Sequence, residues 1–150
     1  MNPYQTISFL NRRNEIVSKF NELDINHTGK IDRKTMGEIL RYEACEFERL
    51  MVVLLFEKYD INKDGWIDFN EFLSFCLSTD RLSSEIILRQ IFDISDLDHD
   101  GYLDVDEVKR LGEQMGIKVD MNDAWATVAA LDKNNDNRID YNEFRAIIVN

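Results

Sequence analysis

Four short polar stretches recur in this chain on one fixed period, and the period constrains the fold more than any other feature. Asp24, Asp60, Asp96 and Asp132 each open such a stretch, and each stands 36 residues after the last. The flanks repeat with them. Before the stretches come Ile16, Phe20 and Leu23, then Val52, Phe56 and Tyr59, then Leu88, Phe92 and Ser95, then Ala124, Val128 and Leu131. After them come Met36, Ile39 and Leu40, then Phe72, Phe75 and Cys76, then Val108 and Leu111, then Phe144, Ile147 and Ile148. Both spacings follow one face of an α-helix. Each repeat therefore reads helix, polar loop, helix.

A single unit of this kind cannot bury its apolar face alone, so the repeats must pair. An all-α fold of two lobes is expected, residues 1–79 and 80–150, with two repeats in each. The polar segment Ser78–Ser84 reads as the linker, and Ser83 is placed to cap the helix that follows. Position 8 of the loops carries Ile31, Ile67, Leu103 and Ile139. Aliphatic residues inside polar loops suit a short two-stranded pairing, loop 1 with loop 2 and loop 3 with loop 4.

The loops have the chemistry of a divalent-cation cage. Calcium takes six to eight oxygens, and a twelve-residue loop supplies them from positions 1, 3, 5, 7 (a backbone carbonyl) and 9, closed by a bidentate Glu at 12. Loop 2 offers Asp60, Asn62, Asp64, the Trp66 carbonyl, Asp68 and Glu71, with Gly65 at the turn. Loop 3 offers Asp96, Asp98, Asp100, the Tyr102 carbonyl, Asp104 and Glu107, with Gly101 at the turn. Loop 4 offers Asp132, Asn134, Asp136, the Arg138 carbonyl, Asp140 and Glu143, but Asn137 stands at the turn. Asn tolerates the left-handed conformation better than other side chains, so loop 4 is expected to bind, with some loss. Loop 1 has Asp24, Asn26, Thr28, the Lys30 carbonyl and Asp32, and ends on Thr35. A hydroxyl does not replace a bidentate carboxylate. Three calcium ions are expected, with loop 1 either empty or holding magnesium, which asks for fewer protein ligands.

Charge supports the assignment. The ligand carboxylates of loops 2 to 4 number thirteen, which leaves 16 of the 29 acids against 18 Lys and Arg. The acidity thus belongs to the loops, not to a solvated face. Three divalent ions would bring the net charge from −11 to −5. That sign disfavours nucleic acid and suits basic partners. The uncharged apolar run Leu50–Phe56 is far too short to span a bilayer, so no membrane insertion is expected. The start, Met1–Tyr4, lacks the apolar core of a leader, and the end offers no cysteine to prenylate. A soluble cytoplasmic monomer is expected, with nuclear entry open. Cys45 and Cys76 match no zinc or disulfide pattern and read as reduced thiols. His27 and His99 occupy position 4 of their loops and read as solvated. No nucleophile or phosphate loop accompanies them, so catalysis is not expected.

With these motifs in place, the chain resembles calmodulin and its relatives, the troponin C and myosin light chain group of EF-hand proteins, from about Asn14 to Val149. Asp60–Glu71 and Asp96–Glu107 match D-x-[DN]-x-[DN]-G-x5-E in full. The stretches Ile67–Phe72 and Ile139–Phe144 are especially similar to that family. The joint at Arg41–Phe47 departs from it by lacking the usual Leu-Gly turn, and only Gln114–Asp120 is similar there.

The resemblance implies a sensor whose exit helices move when the ion binds, opening an apolar groove for an amphipathic basic helix. Met51, Phe72, Phe75 and Met115 are the expected groove residues, and Phe20, Phe56, Phe92 and Phe144 the expected core, with Trp125 open to either. Few methionines argue for a narrow set of targets. Two other readings are a light-chain-like or regulatory subunit held constitutively on its target, and a calcium buffer.

Overall fold

The computed structural model describes residues 3–43 and 46–146. Cys45, and the apolar positions Ile147 and Ile148, lie outside the described residues. The elements follow the repeat. In the first half, α1 (Pro3–Leu23) leads into loop 1, then β1 (Lys30–Asp32), α2 (Arg33–Glu43), α3 (Glu46–Leu54), β2 (Trp66–Asp68) and α4 (Phe69–Thr79). In the second half come α5 (Ser84–Ser95), β3 (Tyr102–Leu103), α6 (Val105–Gln114), α7 (Met121–Leu131), β4 (Ile139–Asp140) and α8 (Tyr141–Arg145). No helix among the described residues is long and apolar enough to cross a membrane.

The strands join loops as their position-8 residues require. β1 and β2 run antiparallel with Ile31 opposite Ile67, and β3 and β4 with Leu103 opposite Ile139. All four side chains are buried. Each pair links two loops at a point where a β-branched or aliphatic residue faces the core beneath.

The helices start where an oxygen waits for their free N–H groups. Asp68, Asp104 and Asp140 cap α4, α6 and α8, and in each case the third helical residue, Glu71, Glu107 or Glu143, returns the bond. Asp120 and Asp123 do the same for α7. Each such cap stabilises its helix by about 1 kcal/mol. Ser83 caps α5, its hydroxyl accepting from the Ile86 N–H at 3.3 Å.

Phe20, Phe56, Phe92 and Phe144 are all buried. Phe20 meets Phe69 edge-on, and Phe92 meets Tyr141 the same way. Trp125 and Met121 stay largely exposed on α7.

Three features depart from the sequence reading or go beyond it. The expected linker is shorter, because α4 continues through Ser78 and Thr79. Thr79 is buried and its hydroxyl donates to the Phe75 carbonyl at 2.8 Å, while the Asp80 N–H bonds to Cys76. Second, the helix entering loop 2 ends in a π-helical turn, Leu55–Tyr59, which its apolar spacing did not reveal. Third, the two halves touch. α3 packs on α5 and α6, and one hydrophobic cluster runs from Ile16 to Phe144.

Candidate metal centre

The four loops share one backbone. Position 4 has positive φ in every loop, at His27, Lys63, His99 and Asn135, between 54° and 59°. Position 6 follows at Gly29, Gly65 and Gly101, with φ of 80° to 86°, and at Asn137 with φ 60°. The asparagine thus makes the turn that glycine makes elsewhere, in the left-handed region it tolerates. His27 and His99 are exposed, as their place in the turn implies.

Hydrogen bonds to the first ligand shape each loop. Asp60, Asp96 and Asp132 accept from the N–H of Gly65, Gly101 and Asn137 at 2.9, 3.0 and 2.8 Å. The closing glutamate then staples the two ends together. One oxygen of Glu71 accepts from the Ile61 N–H and the other from the Asp68 N–H, both at 3.0 Å. Glu107 bridges Leu97 and Asp104 in the same way, and Glu143 bridges Lys133 and Asp140. A residue on the first turn of each exit helix therefore holds the start of its own loop.

The carboxylates converge. In loop 3, oxygens of Asp96, Asp98, Asp100 and Glu107 lie within 4.8 Å of one another, and in loop 4 so do those of Asp132, Asp136 and Glu143. Oxygens bound to one calcium at about 2.3–2.6 Å stand at most about 5 Å apart. The donor sets fit one ion each. In loop 2, Asp60 Oδ1 is buried without a hydrogen-bond partner, an acceptor that a cation would satisfy. The crowding has an electrostatic signature. Lost hydration pushes the Glu107 carboxyl above its usual range, helped by Asp104 and Asp98. Asp98 shifts upward for the same first reason, with Asp96 and Asp100 adding to it. Asp100 and Asp64 shift downward, each mainly because a backbone N–H, of Tyr102 and Trp66, donates to it.

Loop 1 keeps the shape without the glutamate. Asp24 accepts from the N–H groups of Thr28 and Gly29 at 3.0 and 2.9 Å. The Thr28 hydroxyl donates to the Lys30 carbonyl at 3.0 Å. Asp32 accepts from the Thr35 N–H at 2.8 Å, but Thr35 has no carboxylate to return. Loop 1 has the backbone of its neighbours and ends on a hydroxyl where they carry a carboxylate.

Residues of α1, α2, α3, α4 and α5 line an apolar cavity of about 390 Å³. Met51, Phe72 and Phe75 line it together, with Leu23, Met36 and Cys76. Met115 does not share it: it sits buried at the end of α6, its carbonyl facing Gly37 of α2. The sequence reading passed over Arg12, Asp80 and Ile87, which also line the cavity. Only the charges of the first two offered a signal, since nothing in their spacing links residues so far apart.

Paired helix-loop-helix units joined through a two-stranded contact, with acidic loops closed by glutamate, define a class of calcium-binding protein. A family model described as an EF-hand domain pair matches residues 13–77 and again residues 87–149. The chain belongs to the EF-hand family and is a calcium-binding protein. Among its relatives, the probable calcium-binding protein CML27 of Arabidopsis thaliana is 24% identical over 134 residues, covering 89% of this chain and 77% of the relative. The calcium-binding allergen Ole e 8 of Olea europaea is 26% identical over 146 residues, covering 95% and 85%. Calcium-dependent protein kinase 5 of Plasmodium falciparum is 31% identical over 127 residues, which is 83% of this chain but 22% of the kinase.

Proposed function

We propose that the chain is a non-enzymatic calcium sensor that binds a basic amphipathic helix in the apolar cavity walled by α4. One observation carries this reading. Glu71, which closes loop 2, and Phe72, Phe75 and Cys76, which line the cavity, stand on the same helix, α4. Any change in how Glu71 is held is therefore felt at the cavity wall. Bound calcium would supply two positive charges and a demand for six to eight oxygens.

The residues that would hold it are those of loops 2, 3 and 4, three ions in all. The side chains of Asp60, Asn62, Asp64 and Asp68 would hold the ion in loop 2, and Glu71 would close the cage from the first turn of α4. With three ions the chain still carries a charge of about −5, which attracts a basic partner. Apolar anchors at i, i+3, i+4 and i+7 of that partner suit a cavity lined by Phe and Met. Monomeric, cytoplasmic action fits this reading.

Calorimetry with a basic amphipathic peptide, with and without calcium, tests it. Binding that requires calcium is expected. Equal binding without calcium would mean a constitutively held subunit. An apolar dye and a peptide that both stay unbound in calcium would mean a buffer.

A further inference from the structure

The contact between the two halves is built from residues that neither calcium binding nor target binding explains. Gly37 lies inside α2, where glycine weakens a helix relative to alanine and no positive φ requires it. Its place is explained by Gly116, on the turn after α6. A Cβ at Gly37 would stand 2.6 Å from the Met115 carbonyl oxygen and 2.7 Å from the Gly116 Cα. Backbone meets backbone there, and no side chain fits between. Gly116 has φ 80°, so it is doubly restricted. Close by in the same contact, the buried Gln114 donates through Nε2 to Glu57 Oε1 at 2.5 Å, and Arg110 Nη2 lies 3.8 Å from the same oxygen.

The partners have telling positions. Glu57 lies three residues before Asp60, on the π-helical turn that enters loop 2. Gln114 ends α6, the helix whose first turn carries Glu107 of loop 3. Seven residues of helix, about 10 Å, separate Glu107 from Gln114. The far end of one loop's exit helix is thus hydrogen-bonded to the helix that enters another loop. The carboxylates of loop 3 are gathered in the same conformation in which this contact is closed.

We infer that the Gly37–Gly116 and Glu57–Gln114 contacts form a latch that makes calcium binding at loops 2 and 3 mutually reinforcing. The inference rests on the reading that both loops bind calcium. Glu107 of loop 3 and Gln114 of the latch stand on one rigid helix, α6, so the placement of α6 that gathers the loop 3 carboxylates also sets Gln114 against Glu57, and filling loop 3 favours the latch. The latch in turn holds the entrance to loop 2 in place. By linkage, loop 2 returns the effect to loop 3 in equal measure.

The test uses the full chain with Trp125→Phe, so that Trp66 alone reports loop 2. Glu107→Gln, which disables loop 3, is expected to move the Trp66 calcium midpoint upward by about fivefold or more. In a Gly37→Ala background that shift is expected to shrink below about twofold, because the added Cβ wedges the halves apart. X-ray scattering of the calcium-loaded Gly37→Ala chain should show a larger radius of gyration. Gln114→Ala only shortens a side chain, and should lessen the coupling without risk to α2. An unchanged Trp66 midpoint in Glu107→Gln, or an equal shift in all backgrounds, would overturn the latch while leaving the sensor reading intact. A Trp66 signal that never responds to calcium would overturn both.

Discussion

Arg12 and Asp80, 68 residues apart, meet in a two-pronged ion pair, with Nε to Oδ2 at 2.6 Å and Nη2 to Oδ1 at 2.9 Å. The pair ties α1 to the C-terminal end of α4, and both residues line the apolar cavity. Asp80 stands where the helix dipole disfavours an acid, and the guanidinium offsets that. Both side chains are more than a third exposed, so water and salt weaken the pair. Arg12→Ala is expected to cost about 0.5–1 kcal/mol in urea denaturation, and less at high salt. A loss that salt leaves untouched would mean the arginine acts through its packed stem.

Cys76 lies half-buried on the cavity wall, and burial pushes its thiol up to about 11 from an ordinary 9.0, against the opposing pull of Arg12. That rise from 9.0 to about 11 lowers the thiolate fraction near pH 8 about a hundredfold. In a Cys45→Ser chain, iodoacetamide should react with the native protein about a hundredfold more slowly than with the urea-unfolded one at pH 8. The sign for stability follows. A raised native value favours folding fully below pH 9, and that contribution fades as pH rises from 9 towards 11. Equal alkylation rates in the native and unfolded chains would place Cys76 in water.

Loop 1 tests whether shape alone suffices for binding. Native mass spectrometry should count three calcium ions on the unaltered chain and four on Thr35→Glu. The backbone of loop 1 already matches its neighbours, with Gly29 at φ 85° and Asp24 holding Thr28 and Gly29. Four ions on the unaltered chain would refute the role given to Thr35.

Trp66 gives loop 2 its own reporter. It is partly exposed on β2, with Lys30 Nζ 5.8 Å from its ring centre. Calcium titration should shift its emission, and Glu71→Gln should remove the shift, since an amide has one acceptor oxygen where the loop needs two. A full shift in that variant would show that Glu71 is not the closing ligand.

The loops were legible because an oxygen cage dictates spacing. Asp60 to Glu71 must fall on set positions whatever surrounds them, and Ile31 and Ile67 must face each other once two such loops pair. Asn137 was legible too, since few side chains reach a φ of 60° cheaply. What stayed hidden depends on distant partners. Gly37 reads as a weak point in a helix until Gly116 is placed against it. The π-helical turn at Leu55–Tyr59 shares its apolar spacing with an α-helix. Thr79 looked like linker because its hydroxyl bond to Phe75 counts only once the helix exists. Met115 carries the right chemistry for a groove, but its place at the end of α6 sets it against α2.

The pairing of Ile31 with Ile67 has a cost for how such a chain can change. A loop that ends on Thr35 cannot simply be trimmed away, because among the described residues its three-residue strand is half of a two-stranded sheet. Deleting it would leave Ile67 facing water and the neighbouring ion cage with one wall. Loop 1 is thereby held as a wall of loop 2, whichever of them takes an ion.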